Sequence, residues 1–141
     1  MIDWQAALLA RARVGYLATV DGRGQPHAVP ICFVYLDGRA YTPIDEKPKR
    51  GQPLELRRVR NVLANPSVCL VVDTYAEDWT ALAWLQLRGR AQLVVDLTER
   101  AAALAGLRAK YSQYTTMSLE SRPLIAIQPE RVVAWRASPG A

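Results

Sequence analysis

The sequence has little of what metal sites and hydrolytic triads require. Its 141 residues include one histidine, His27, and two cysteines, Cys32 and Cys69. Because no group of Cys, His, Asp and Glu has the spacing of metal ligands, we expect no metal site. A Ser-His-Asp triad would need His27, and no nucleophile elbow lies near it. We assign no catalytic residue from the sequence, and we interpret His27 as structural or rim-exposed.

Disulfides and membrane-spanning segments are not expected either. Cys32 and Cys69 lie inside the apolar runs PICFVYL and SVCLVVD, where a free cysteine behaves as a small hydrophobic residue. No signal-peptide pattern opens the chain, and no apolar run approaches the ~18 residues of a membrane span. The sequence therefore predicts a cytoplasmic protein without a membrane partner.

The composition is that of a globular protein. Hydrophobic residues make up 50% of the chain and charged residues 22%, which excludes a disordered or low-complexity protein. The length is close to the ~150 residues of one domain. We expect a single cofactor-binding domain over residues 1–141.

Strand and turn signals dominate the pattern. We expect a helix over 4–12 capped by Asp3, a helix over 54–64 with Leu56, Val59 and Leu63 on its buried face, and a third helix that is capped by Thr98 and runs to Lys110. Strands are predicted over 14–20, 27–36, 39–44, 68–75, 81–95 with a bulge at Gly89, and 124–135 as a strand pair or one bulged strand. About six sequential strands with three peripheral helices predict a mainly β, antiparallel barrel.

Basic residues are concentrated in one segment. The net charge is +5, and six of the eighteen basic residues fall within fourteen positions: Lys47, Lys49, Arg50, Arg57, Arg58 and Arg60. This segment runs from a loop into the predicted second helix, and a helix N-terminus favours phosphate. A solvated charged surface is the alternative. No aromatic residue for base stacking lies between Tyr41 and Tyr75, so a compact phosphate fits better than nucleic acid.

Pro30 interrupts the second predicted strand. Because proline cannot donate to a central strand ladder, Pro30 marks either an edge strand or a place where a planar ligand meets the backbone.

Of the four tryptophans, Trp79 lies in an acidic loop, and we expect it to be exposed or at an interface.

Four segments together resemble the pyridoxamine 5′-phosphate oxidase-like split-barrel family, in its deazaflavin (coenzyme F420)-dependent branch. They are RVGYLATVDGRGQPHAVPICF, YTPIDEKPKR, RNVLANPSVCLVVD and IAIQPERVVAW, in this order along most of the chain. The resemblance implies a six-stranded antiparallel split β-barrel of the FMN-binding type. It also implies a homodimer with cofactor sites between the subunits.

The resemblance further implies where a cofactor would bind. The phosphate candidates are Lys47, Lys49, Arg57 and Arg58, and the ring-facing backbone candidates are Val29, Pro30, Thr42, Pro43 and Ile44. Relatives often have a lysine where this chain has Arg58, three residues before Asn61, and FMN is therefore the alternative cofactor to F420.

The implied activity is hydride transfer from F420 to an unidentified small-molecule acceptor. Such chemistry needs the protein mainly to orient the reactants and exclude water, which agrees with the few acid–base residues. An FMN-dependent oxidoreductase of the same fold, and a non-catalytic cofactor-binding protein, are the alternatives.

Overall fold

A computed structural model describes residues 1–45 and 56–141. Within these ranges, one antiparallel sheet of seven strands curls into a half-barrel, accompanied by three α-helices. The strands are β1 (Gly15–Val20), β2 (Pro26–Ile31), β3 (Val34–Leu36), β4 (Arg39–Pro43), β5 (Ser67–Thr74), β6 (Ala83–Leu93) and β7 (Leu124–Arg136). The helices are α1 (Asp3–Arg11), α2 (Arg57–Ala64) and α3 (Leu97–Lys110). The strand order is β2-β1-β5-β6-β7-β4-β3, so β2 and β3 form the two edges.

The seventh strand arises because the predicted strand over 27–36 is divided. At Phe33 the backbone leaves the ladder, and its N–H and C=O both bond the hydroxyl of Tyr111 at 3.1 Å. The chain then crosses to the other edge, where β3 pairs with β4 instead of continuing from β2. The prediction of six strands was therefore wrong by one, because a distant tyrosine replaces the strand partner at this point.

The β-bulge at Gly89 is confirmed. The register between β6 and β7 shifts between Arg88 and Gly89, and β7 is one continuous bulged strand. A Cβ atom on Gly89 would collide with the backbone carbonyl of Gln128. Glycine is thus required by close approach of the two strands.

The predicted helix caps were wrong in two places. Asp3 is the first residue of α1, and the preceding Ile2 is the cap position, with its N–H donating to Gln5 Oε1 at 3.4 Å. At α3 the carboxylate of Asp96, not Thr98, accepts from the Glu99 N–H at 2.8 Å. An aspartate caps well because its oxygen satisfies one of the free N–H groups of the first turn.

Two core clusters lie on opposite faces of the sheet. The first includes Leu9 from α1 and Val62 from α2, with Leu17 and Leu85 from the strands. The second lies under α3 and includes Leu104, Leu107, Tyr41, Leu124 and Ala126. Since residues alternate along β7 between the two clusters, α3 covers the face opposite to α1 and α2.

The buried face of α2 differs from the prediction. Asn61 is 2% exposed and donates to Thr19 Oγ1 at 3.0 Å, whereas Leu63 is 62% exposed. A hydrogen bond between two buried side chains thus determines which side of the helix faces the sheet.

Candidate functional site

The candidate site lies where edge strand β2 approaches the end of β4. The Thr42 hydroxyl donates to the Cys32 carbonyl at 2.8 Å and links these two segments. Pro30 pairs with Tyr16 in β1, and no described strand pairs with its other side. The edge-strand interpretation of Pro30 is therefore confirmed, and the free side of β2 contributes to a cavity.

This cavity has a volume of about 220 Å³ and combines strand backbone with polar side chains. Its lining residues are Val29, Pro30, Ile31, Cys32, Thr42, Pro43, Asp45, Arg58 and Tyr114. Ligand pockets for drug-sized molecules usually span ~300–1,000 Å³, so this cavity fits one end of such a ligand.

Arg58 brings a positive charge to the cavity from the first turn of α2. Burial lowers the pKa of its guanidinium, and the nearby Asp45 and Tyr114 side chains oppose that shift. Its Nε is buried without a hydrogen-bond partner among the described residues. A buried donor without a partner is rare in native proteins and is often explained by a ligand, ion or water.

Asp45 and Tyr114 form a buried pair in the same cavity. They are 4% and 3% exposed, and the Tyr114 hydroxyl donates to Asp45 Oδ2 at 3.2 Å. Burial raises the pKa of Tyr114, and the neighbouring Cys32 and Asp45 side chains raise it further. The phenol therefore remains a neutral hydrogen-bonding group over the ordinary pH range.

Most of the predicted cofactor contacts come together here, although they are distant in the sequence. Val29, Pro30, Thr42, Pro43 and Arg58 all line the cavity. Ile44 does not, because its side chain is fully buried in the first core cluster.

The remaining predicted contacts lie elsewhere. Arg57 is exposed, and its positive charge contributes to the lowered pKa of Asp21 in the β1–β2 turn. Lys47 and Lys49 lie outside the described residues.

Sequence reasoning missed Asp45, Cys32 and Tyr114. Tyr114 belongs to a short 3₁₀ helix, Ser112–Thr116, between the third predicted helix and the last predicted strand, where no element was predicted. Two tyrosines three residues apart, Tyr111 and Tyr114, were the available signal, and both are buried.

His27, the single histidine of the sequence, lies on β2 and is paired with Thr19 of β1. It is half-buried, and its Nδ1 has no hydrogen-bond partner in the described part of the chain. In residues 1–45 and 56–141, no cluster of Cys, His, Asp and Glu could hold a metal ion, and no helix is long and apolar enough to cross a membrane.

A larger groove of about 400 Å³ lies at the other end of β4. Its Arg39 is already bonded to Glu99 Oε2 at 2.7 Å and to Gln128 Oε1 at 2.8 Å. Because these partners satisfy the guanidinium, we regard the smaller cavity with the unpartnered Arg58 Nε as the functional site.

The curled antiparallel sheet, with the cavity at its open edge, has the split-barrel fold. The family model described as pyridoxamine 5′-phosphate oxidase matches residues 1–136, and the chain belongs to this family. No curated protein matches the sequence.

Solved structures show the same fold. A conserved hypothetical protein from Mycobacterium tuberculosis is 17% identical with a TM-score of 0.79, covering 97% of this chain and 86% of the other. A putative pyridoxamine 5′-phosphate oxidase from Listeria innocua is 25% identical with a TM-score of 0.68, covering 99% and 98%. A protein described as an F420 reductase is 21% identical with a TM-score of 0.67, covering 94% and 98%. Other structures of this fold are described as FAD-binding and haem storage proteins.

Proposed function

We propose that the protein is an oxidoreductase that uses the deazaflavin coenzyme F420 to transfer a hydride to a small-molecule acceptor. The observation that carries the proposal is the cavity, which joins Arg58 to the ring-facing segments of β2 and β4. A protein of the same fold is described as an F420 reductase, and membership of the pyridoxamine 5′-phosphate oxidase family supports an oxidoreductase-type role.

The residues of the site fit a planar cofactor with an anionic tail. The β2 and β4 segments offer a wall of backbone and small apolar groups for a ring. The exposed Arg57, in the first turn of α2, offers positive charge for a phosphate, and Lys47 and Lys49 remain phosphate candidates from the sequence alone. When bound, the reduced cofactor supplies the hydride. The protein orients the ring and the acceptor and limits the access of water.

The test is a titration of the purified protein with F420 and with FMN under the same conditions. We expect saturable binding of both to the same site, with F420 binding more tightly. A protein that purifies yellow with stoichiometric FMN and does not bind F420 would instead be the FMN-dependent alternative. Binding without turnover across enone, imine and quinone acceptors would favour a non-catalytic cofactor-binding protein.

We also propose that the protein is a homodimer with its cofactor sites between subunits. The part of the sheet that α3 leaves uncovered, here called the open face, carries Tyr16, Val71, Trp84, Val133 and Trp135. Tyr16 is 49% exposed and Trp135 46%. Exposed apolar surface of this kind marks protein interfaces in soluble proteins.

Charge along the open face supports two-fold pairing. Arg88 and Arg131 lie side by side toward one end, and Asp73 lies beside Trp84 toward the other. A two-fold axis across the strands would set the basic end of each subunit against the acidic end of the other.

A further inference from the structure

We propose that His27 binds the phosphate of the cofactor, together with the basic residues at the start of α2. This inference rests on the proposed function. His27 is thereby added to the phosphate candidates Arg57 and Arg58, and the affinity for the cofactor depends on pH through the imidazole.

Two buried nitrogen atoms lack a hydrogen-bond partner among the residues that the structure describes, His27 Nδ1 and Arg58 Nε. Exposed and less exposed residues alternate along β2, so His27 points to the same side of the strand as Val29. Val29 and Arg58 line the cavity together. Two strand positions span ~7 Å, a gap that one phosphate bridges with a hydrogen bond on each side. A single ligand with several acceptor oxygens would therefore satisfy both atoms.

Packing of α2 on β1 brings the start of the helix to this part of β2. The Asn61 side chain donates to Thr19 Oγ1 at 3.0 Å, and Thr19 is the residue of β1 that pairs with His27. Arg57 and Arg58 lie one helical turn before Asn61. The first turn of α2 is therefore a neighbour of His27.

The two arginines approach β2 on either side of His27. The positive charge of Arg57 contributes to the lowered pKa of Asp21, in the turn that precedes β2. Arg58 lines the cavity beside Val29, on the other side. A guanidinium offers only donors, and both nitrogen atoms of a protonated imidazole are donors. Donors that converge in this way match a group with only acceptor oxygens, such as a phosphate.

The charged and titratable groups around His27 and the cavity, within the described residues, are Asp21, Cys32, Asp45, Arg57, Arg58 and Tyr114. Backbone hydrogen bonds from Gln25 and Arg23 lower the pKa of Asp21, and burial raises the pKa of Tyr114. Arginine stays protonated throughout. An imidazole is the side chain whose ordinary titration falls between about pH 5.5 and pH 7.5.

The experiment compares F420 with FO, which has the deazaflavin ring and ribityl chain of F420 but neither the phosphate nor the glutamyl tail. Titration of the ring is common to the two ligands, so the ratio of their affinities reports on the phosphate and the tail. Protonation of the imidazole adds a positive charge beside the phosphate. We therefore expect the affinity ratio of F420 to FO to rise roughly three- to tenfold from pH 7.5 to pH 5.5. Fluorescence titration measures both affinities.

Two variants assign the effect to one residue. His27→Gln keeps a polar side chain without a positive charge, and it should remove the pH dependence of the ratio while FO binding stays unchanged. Because Asp45 and Cys32 are the same in both proteins, the difference between the two curves belongs to His27. Arg23→Gln is the matched control, since it removes a positive charge from the exposed β1–β2 turn and should leave the pH dependence unchanged.

A second measurement needs no cofactor. Since the chain contains one histidine, its ring signals are identified directly in an NMR spectrum. Inorganic phosphate at constant pH should shift these signals, whereas sodium chloride at equal ionic strength should not.

The outcomes separate this inference from the proposed function. A ratio that does not change with pH, a pH dependence that His27→Gln retains, or one that Arg23→Gln also removes would each overturn the role of His27, even if F420 binds. If the protein binds FMN and not F420, FMN and riboflavin take the place of F420 and FO, and His27→Gln corrects for titration of the phosphate itself. A protein that binds neither cofactor would contradict the proposed function, and the measurement with inorganic phosphate then decides the role of His27. If His27→Gln does not fold, the wild-type ratio and the NMR measurement decide.

Discussion

Arg58 is the residue on which we expect cofactor binding to depend most directly. Its guanidinium lines the cavity and is half-buried, and its Nε has no hydrogen-bond partner in the part of the chain that the structure describes, whereas Arg60 on the same helix is exposed. We expect Arg58→Ala to weaken F420 or FMN binding by about 1.5–3 kcal/mol, as for a hydrogen bond between a charged donor and its acceptor. Titration of the variant against the wild type measures this. Arg60→Ala removes the same charge from the same helix, and an equal loss in both variants would show that only diffuse charge is involved.

We expect Lys110 to make the stability of the protein depend on pH. Its Nζ lies 3.9 Å from the centre of the Phe33 ring, and burial, assisted by the charge of Arg13, lowers its pKa from 10.5 to about 8. Between these two values the unfolded chain binds a proton that the folded protein does not, so stability rises with pH in this window. Below about pH 8 both states are protonated, and the cost of burying the charge is present in full.

The measurement is urea denaturation at intervals between about pH 7 and pH 9, which lies below the range where most tyrosines ionise. The wild type should become more stable as the pH increases. Lys110→Met, which keeps the apolar stem over Phe33, should show a smaller rise. Parallel curves for the two proteins would contradict the assignment to Lys110.

At the scale of single elements, the bulge of β6 against β7 depends on Gly89. A methyl group there would meet the backbone of Gln128 and Pro129, which neither strand can easily move. We expect Gly89→Ala to lower the free energy of unfolding by about 1–3 kcal/mol, the usual cost of overpacking. Gly22→Ala is the control because nothing lies within 4 Å of its added Cβ. Chemical denaturation measures the free energy of unfolding of both variants. Equal values would contradict the prediction, because they would show that β6 and β7 accommodate the added methyl group.

At the scale of the whole molecule, the open face is the surface that we propose for self-association. We expect the wild type to sediment as a dimer at micromolar concentration and Tyr16→Arg to sediment as a monomer, because a charge replaces a half-exposed aromatic side chain on the proposed contact surface. Val95→Arg is the matched control, since Val95 is 87% exposed and follows β6 outside the open face. A wild-type monomer, or a dimer that Tyr16→Arg leaves intact, would contradict the proposed interface.

Several features of this protein follow from the sequence alone because their causes are local. The strand-forming runs, the glycine at the bulge, the exposed Trp79 and the two free cysteines were all predicted, and the structure agrees. The resemblance carried by short motifs also located five residues of the cavity wall, although the sequence does not show that they meet.

Tertiary structure decided the rest through contacts between distant residues. Tyr111 ends β2 from 78 positions away, and Tyr114 reaches Asp45 across 69 positions. Asn61 is buried because Thr19, 42 positions earlier, accepts its hydrogen bond. No periodicity in a local window reports such pairings, since each depends on a buried polar group finding its partner only after the sheet has curled. The polar half of the cavity is therefore a property of the folded chain.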